Sequence, residues 1–140
     1  MTKKIKQTIG SWISVGSISV AEIMAEVGFD WLCIDIEHTS IDYSKVQELI
    51  IAIQSKGIKA YVRVGGNDEI IIKRVLDSGA NGVIVPLVKD ENDALHAVNN
   101  SLYPPIGTRG VNSLSRAQGY GFNFDNYVKQ VNKKTEVILQ

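Results

Sequence analysis

Five short runs rich in β-branched and aliphatic residues recur along the chain: "TIGSWIS" at 8–14, "DWLCIDI" at 30–36, "IKAYVRV" at 58–64, "GVIVP" at 82–86 and "EVILQ" at 136–140. Between them lie longer segments of helical period, near 18–27, 43–56, 68–78, 90–100 and 124–133. Strands separated by helices of this length read as crossover units, and such units build a parallel sheet covered by helices. The punctuation agrees. Ser17 or Ser19, Asp42 and Asn67 stand where a side-chain oxygen can accept the orphan N–H groups of a helix start, and Gly28, Gly57 and Gly79 stand where a left-handed stop is wanted. In "SKVQELIIAIQSKG" the residues Val46, Leu49, Ile50 and Ile53, with Ile51 beside them, form an apolar stripe to lie on the sheet.

With 140 residues, 44% of them hydrophobic, the chain can bury one sizeable core, and we read residues 1–140 as a single domain. Fifteen Lys and Arg balance 15 Asp and Glu, so no basic field is present to gather nucleic acid. No apolar run approaches the roughly 18 residues of a membrane span. The start "MTKKIKQTIG" is positively charged but lacks the apolar core of a secretory leader. Cys33, inside an apolar run, has no second cysteine to pair with, which points to a reducing compartment, the cytoplasm. Small molecules, rather than nucleic acid or membrane, are the expected partners.

Strand side chains alternate between faces, so in "LCIDIEH" the residues Leu32, Ile34 and Ile36 share one face and Cys33, Asp35 and Glu37 the other. The same count on "AYVRV" sends Ala60, Val62 and Val64 towards the helices and Tyr61 and Arg63 to the opposite side. Ionisable groups thus collect at the carboxyl ends of successive strands, on the side away from the helices. A (β/α)8 barrel places its active site there, because the loops after those ends form its mouth. An open doubly wound sheet buries both faces of its central strands in apolar contacts, where charges cost several kcal/mol unless paired. It also calls for a glycine-rich fingerprint after the first strand, and "SVGSIS" has the wrong spacing. The expected fold class is therefore α/β of the TIM-barrel type, represented here by about five strands.

A salt bridge from Arg63 to Asp35 or Glu37 accounts for those three charges without any catalysis. It leaves His38 idle. An imidazole beside two carboxylates and opposite an arginine is a candidate base, since a carboxylate fixes its tautomer. His96 sits among ordinary helix positions, and Trp12, from pattern alone, is a core aromatic of the first strand. The segment "YPPIGTRGVNSLSRAQGYGFN" breaks the rhythm, being rich in Gly, Ser, Asn and Arg and longer than an ordinary connection.

The segments "GSWIS", "GFDWLCIDIEH", "AYVRV", "DSGANGVIVPLV" and "YPPIGTRGV" resemble those of the HpcH/HpaI aldolase family of class II, metal-dependent pyruvate aldolases, over nearly the whole chain. The resemblance implies a (β/α)8 barrel that makes or breaks a carbon–carbon bond at the methyl carbon of pyruvate, with a divalent ion (Mg, Mn or Co) as cofactor and a homo-oligomer as the assembly. It implies His38 as the base, acting through a water, Asp35 as its orienting partner, and Arg63 as the ligand of the keto oxygen. Gln140 matches a polar residue of the pyruvate site, and Trp12 would line the aldehyde side. Arg109 and Arg116 in the long loop are either surface residues or the holders of a distal acid group.

In the family the metal is held by a Glu two residues beyond the position of Gln140 and by an Asp near the end of the next strand. The expectation is therefore an amino-terminal fragment without those ligands. Glu37 alone is a poor site for a hard cation that wants several oxygens. Two alternatives to the aldolase stay open: a citrate-lyase-type enzyme acting on a CoA thioester, and a catalytically inactive assembly module.

Overall fold

The computed structural model describes residues 7–140, so residues 1–6 of the segment read for a leader lie outside the described residues. The five runs form strands β1 (Gly10–Ile13), β2 (Trp31–Asp35), β3 (Lys59–Arg63), β4 (Gly82–Val85) and β5 (Glu136–Leu139). Helices α1 (Ile18–Glu26), α2 (Tyr43–Ser55), α3 (Glu69–Asp77), α4 (Glu91–Ser101) and α5 (Phe124–Lys134) alternate with them. All strand pairs are parallel, and the spatial order β1-β2-β3-β4-β5 repeats the order in sequence. That order never reverses. A doubly wound sheet needs a reversal to place helices on both faces, whereas a barrel adds each strand beside the last.

The two faces divide as alternation requires. Ile13, Leu32, Ile34, Ala60, Val62, Val64, Val83 and Val85 are buried together with Val46, Leu49, Ile50 and Ile53 of α2 and Ile72, Val75 and Leu76 of α3. The opposite face holds a smaller cluster, Cys33, Tyr61 and Ile84, with Trp31 packed against it. Most of the apolar burial, and so most of the hydrophobic stabilisation, lies between sheet and helices. Ile51 is not part of the stripe; it is 44% exposed, one step round the helix from the residues that face the sheet.

Ser17, Asp42, Asp68 and Asp90 cap the first four helices, each side chain accepting from the backbone N–H three residues on. Asp68, not Asn67, therefore caps α3; the Asn67 amide instead donates to the carbonyl of Asp93 at 2.9 Å, tying the β3–α3 loop to α4. Gly28, Gly57 and Gly79 all adopt positive φ, at 103°, 77° and 97°, where a side chain would be strained.

The long segment after α4 is packed against α2 and α3, with Arg109 and Arg116 bound at the carboxyl-terminal ends of those helices. Arg109 is 1% exposed; its Nη2 lies 2.6 Å from Asp77 Oδ1 at the end of α3, and its guanidinium stacks on Tyr103 at 4.6 Å. Arg116 donates to the Ser78 carbonyl and to Gln54 Oε1, both at 2.9 Å. Arg109 is therefore no surface residue, and both arginines are tied to the carboxyl-terminal ends of α2 and α3.

Candidate active site

At the carboxyl ends of β2 and β3, the register sets Asp35 directly opposite Arg63. Asp35 is buried and grips the guanidinium at two points: Arg63 Nε donates to Oδ1 at 3.1 Å and Nη2 to Oδ2 at 2.8 Å. Such planar two-point pairing gives strength and a fixed orientation. The guanidinium bonding to it holds the Asp35 carboxyl below the usual carboxylate range, and the carboxylate in turn raises Arg63 above its ordinary value.

Beyond Asp35 the chain curls back over its own carboxylate. Asp35 Oδ1 accepts the backbone N–H groups of Glu37, at 3.1 Å, and His38, at 3.4 Å, a local turn of the kind Asp favours. Thr39 Oγ1 donates to the Asp35 carbonyl and accepts from the Ile41 N–H at 3.2 Å, closing the turn. This geometry brings Glu37 Oε2 to 3.2 Å from Arg63 Nε and 3.5 Å from His38 Nε2. Asp35 accepts from the backbone N–H of His38, and the His38 ring lies 3.5 Å from Glu37 Oε2, within ion-pair range but without a hydrogen bond. The His38 side chain is 68% exposed.

Trp12 is on the same face, opposite Cys33 in the register. It is no core aromatic, being 40% exposed with Arg63 stacked over its ring at 4.6 Å. Arg63 is thus bounded by two carboxylates and an indole, while its Nη1 donates no hydrogen bond to the described residues. Cys33, beneath the charged layer, is inert, because burial pushes its thiol up to about 12. Gln140 continues the β5 ladder, its N–H donating to Val85 at 3.0 Å and its carbonyl accepting from Val88 at 2.9 Å. By alternation with Glu136 and Ile138 its side chain falls on the Arg63 face, two strands away, at the same end. His96 lies on the exposed side of α4.

The site therefore gathers Trp12, Asp35, Glu37, His38 and Arg63. The residue pattern offered Asp35 or Glu37 as the partner of Arg63, and the structure pairs it with both; the Trp12–Arg63 stack was not legible, because it depends on a strand register known to within one residue. Among the described residues no group of three or more His, Cys, Asp and Glu side chains could hold a metal ion, and Asp35 and Glu37 have oxygens engaged by Arg63. No helix among them is long and apolar enough to cross a membrane.

Five parallel strands in unbroken order, with ionisable residues at their carboxyl ends and helices on one face, define an α/β protein of the TIM-barrel type. The chain belongs to the HpcH/HpaI aldolase/citrate lyase family, whose profile matches residues 8–140. It is 39% identical over 140 residues to the 2-dehydro-3,6-dideoxy-6-sulfogluconate aldolase of Pseudomonas putida, covering all of this chain and 54% of that protein. It is 35% identical over 135 residues to the hydroxypyruvate/pyruvate aldolase of Sagittula stellata, covering 96% of this chain and 53% of that one. The crystal structure of an HpcH/HpaI aldolase/citrate lyase family protein from Burkholderia cenocepacia superposes with a TM-score of 0.90 at 36% identity, over 96% of this chain and 55% of that one. The chain thus spans about half the length of the curated relatives it matches.

Proposed function

We propose that the whole protein is a carbon–carbon lyase that cleaves 4-hydroxy-2-oxo acids to pyruvate and an aldehyde through a pyruvate enolate. The observation that carries this reading is the Arg63 guanidinium, held by Asp35 and Glu37 with Nη1 left over, beside an exposed imidazole at the strand ends. Removing a proton next to a ketone builds negative charge on the keto oxygen, and a preoriented cation aimed at that oxygen stabilises it. Arg63 supplies that cation and His38 the base. In cleavage His38 accepts the 4-hydroxyl proton, directly or through a water, as the C3–C4 bond breaks; the electron pair forms the enolate, which then takes a proton at its methylene carbon. Trp12 lines the aldehyde side and Gln140 the pyruvate side.

The reading includes dependence on a divalent ion, Mg, Mn or Co, a cytoplasmic setting and a homo-oligomer. Among the described residues no group of three or more His, Cys, Asp and Glu side chains makes a site for that ion. The family also includes citrate lyases, and release of CoA without free aldehyde would favour a thioester substrate instead.

The test is pyruvate release from a 4-hydroxy-2-oxo acid by the full-length protein with each metal added, together with exchange of the pyruvate methyl protons followed by NMR. His38→Ala should slow exchange about 100-fold or more while leaving pyruvate bound. Unchanged exchange would remove His38 from the chemistry.

A further inference from the structure

We infer that Leu87 is a specificity-determining residue: its side chain forms the apolar wall against carbon 3 of the bound 2-oxo acid and selects a methyl group there over a hydroxymethyl group. The inference rests on the proposed roles of Arg63 and Gln140 on the pyruvate side and adds the residue that stands between them.

Three observations carry it. Leu87 has a φ of 59°, and among the described residues Tyr120 is the one other non-glycine residue with a positive φ. That region crowds the Cβ of a leucine and is visited routinely only by Gly, Asn and Asp. The neighbouring strand imposes it: the Gln140 N–H donates to the Val85 carbonyl at 3.0 Å and the Val88 N–H donates to the Gln140 carbonyl at 2.9 Å, which pins the chain on both sides of Leu87. Exposure is the second observation. Leu87 is 73% exposed, whereas Val85 belongs to the helix-side core and Val88 packs against it. The third is place. In the sheet β4 lies between β3, which ends at Arg63, and β5, which leads into Gln140, so Leu87 follows the strand end that separates the two groups proposed to hold pyruvate.

Backbone strain persists where the surroundings over-determine it, and such residues collect at ligand sites. A leucine held left-handed that buries little of its side chain costs folding energy and returns no packing, although Gly or Asn would close the same turn with less strain. A ligand supplies the return. Carbon 3 carries only hydrogen in pyruvate and a hydroxyl in hydroxypyruvate, and an apolar wall leaves that hydroxyl without a hydrogen-bond partner. Such a wall discriminates by about 100-fold at most.

The experiment lets pyruvate and hydroxypyruvate compete for the full-length protein in deuterated water with added Mg, Mn or Co, and follows exchange at carbon 3 of each by NMR. The wild-type ratio of the two rates is the reference, so the different acidities of the two acids cancel. Leu87→Asn, similar in size and suited to the left-handed region, should shift the ratio about 10-fold towards hydroxypyruvate, with a melting temperature no lower than wild type. Leu87→Gly, which removes the wall, should shift it about threefold or more. Ratios within about twofold of wild type in both variants would overturn the inference, and a lowered melting temperature with those ratios would make Leu87 a packing residue. In protein labelled with 13C at leucine methyl groups, the Leu87 signals being assigned by their loss in Leu87→Asn, saturation of the methyl protons of bound pyruvate should pass to Leu87; no transfer would also overturn it. If wild-type protein exchanges carbon-3 protons of neither acid with any metal, the aldolase reading fails, and the transfer from pyruvate still decides whether Leu87 faces a bound 2-oxo acid.

Discussion

Arg63 and Asp35, opposite one another on β3 and β2, form a planar two-point ion pair of 3.1 and 2.8 Å whose outer guanidinium edge is left for a ligand. An ammonium cannot satisfy two carboxylate oxygens and a substrate oxygen in one plane. Arg63→Lys should therefore lower kcat/KM for pyruvate release about 100-fold or more although charge is kept, a loss of about 3 kcal/mol in transition-state stabilisation. Equal rates would reduce Arg63 to a structural salt bridge.

The same pair makes stability depend on pH. Asp35 has its folded carboxyl held below the usual range, chiefly by the bond from Arg63, while in the unfolded chain it titrates near about 4. Its contribution is thus full above about pH 4 and is lost as pH falls through the lower folded value. Asp35→Asn, which leaves Arg63 with Glu37 as its one charged partner among the described residues, should destabilise the protein by about 2 kcal/mol at pH 7. Urea unfolding at pH 7 and again near pH 3 checks this, since the gap between wild type and variant should narrow at the lower pH. A constant gap would show that the pair is not titrating.

Gly82 places β5. A Cβ there would stand 2.1 Å from the Glu136 carbonyl oxygen, a backbone atom that cannot swing aside. Gly82→Ala should cost about 3 kcal/mol by overpacking, seen as a fall in melting temperature. It should also weaken turnover, because the β4–β5 pairing that it disturbs is what carries Gln140 to the site. A variant of normal stability and rate would mean that the two strands can part without consequence.

Arg109 tests the assignment of the long loop. Removing it leaves Asp77 unpaired and opens space over Tyr103, so Arg109→Ala should destabilise by about 3 kcal/mol. Because it is bound at the carboxyl-terminal end of α3, KM for the 4-hydroxy-2-oxo acid should stay within about threefold of wild type. A large rise in KM without loss of melting temperature would favour its role as the holder of a distal acid.

The strands, their order of alternation with helices and the two sheet faces were legible in the amino-acid pattern, because burial imposes a period of two on Leu32, Ile34, Ala60 and Val62 and a helical period on Val46, Leu49, Ile50 and Ile53. Those periods are local. The charged end of β2 was equally visible, since Asp35, Glu37 and His38 interrupt an apolar run. Which carboxylate meets which cation was not, because the answer depends on the β2–β3 register and on a turn that Asp35 closes through its own side chain. Trp12 read as core since an indole on a strand is usually buried, yet the sheet presents it to the open face beneath a guanidinium. Arg109 and Arg116 read as surface or ligand residues since nothing within the loop sequence names Asp77, Ser78 or Gln54, the distant residues that bind them. Sequence determined what each segment is, through local burial periodicity; only tertiary structure decided which carboxylates and carbonyls Arg63, Arg109 and Arg116 meet, because those distances are set between residues 26 or more apart in the chain.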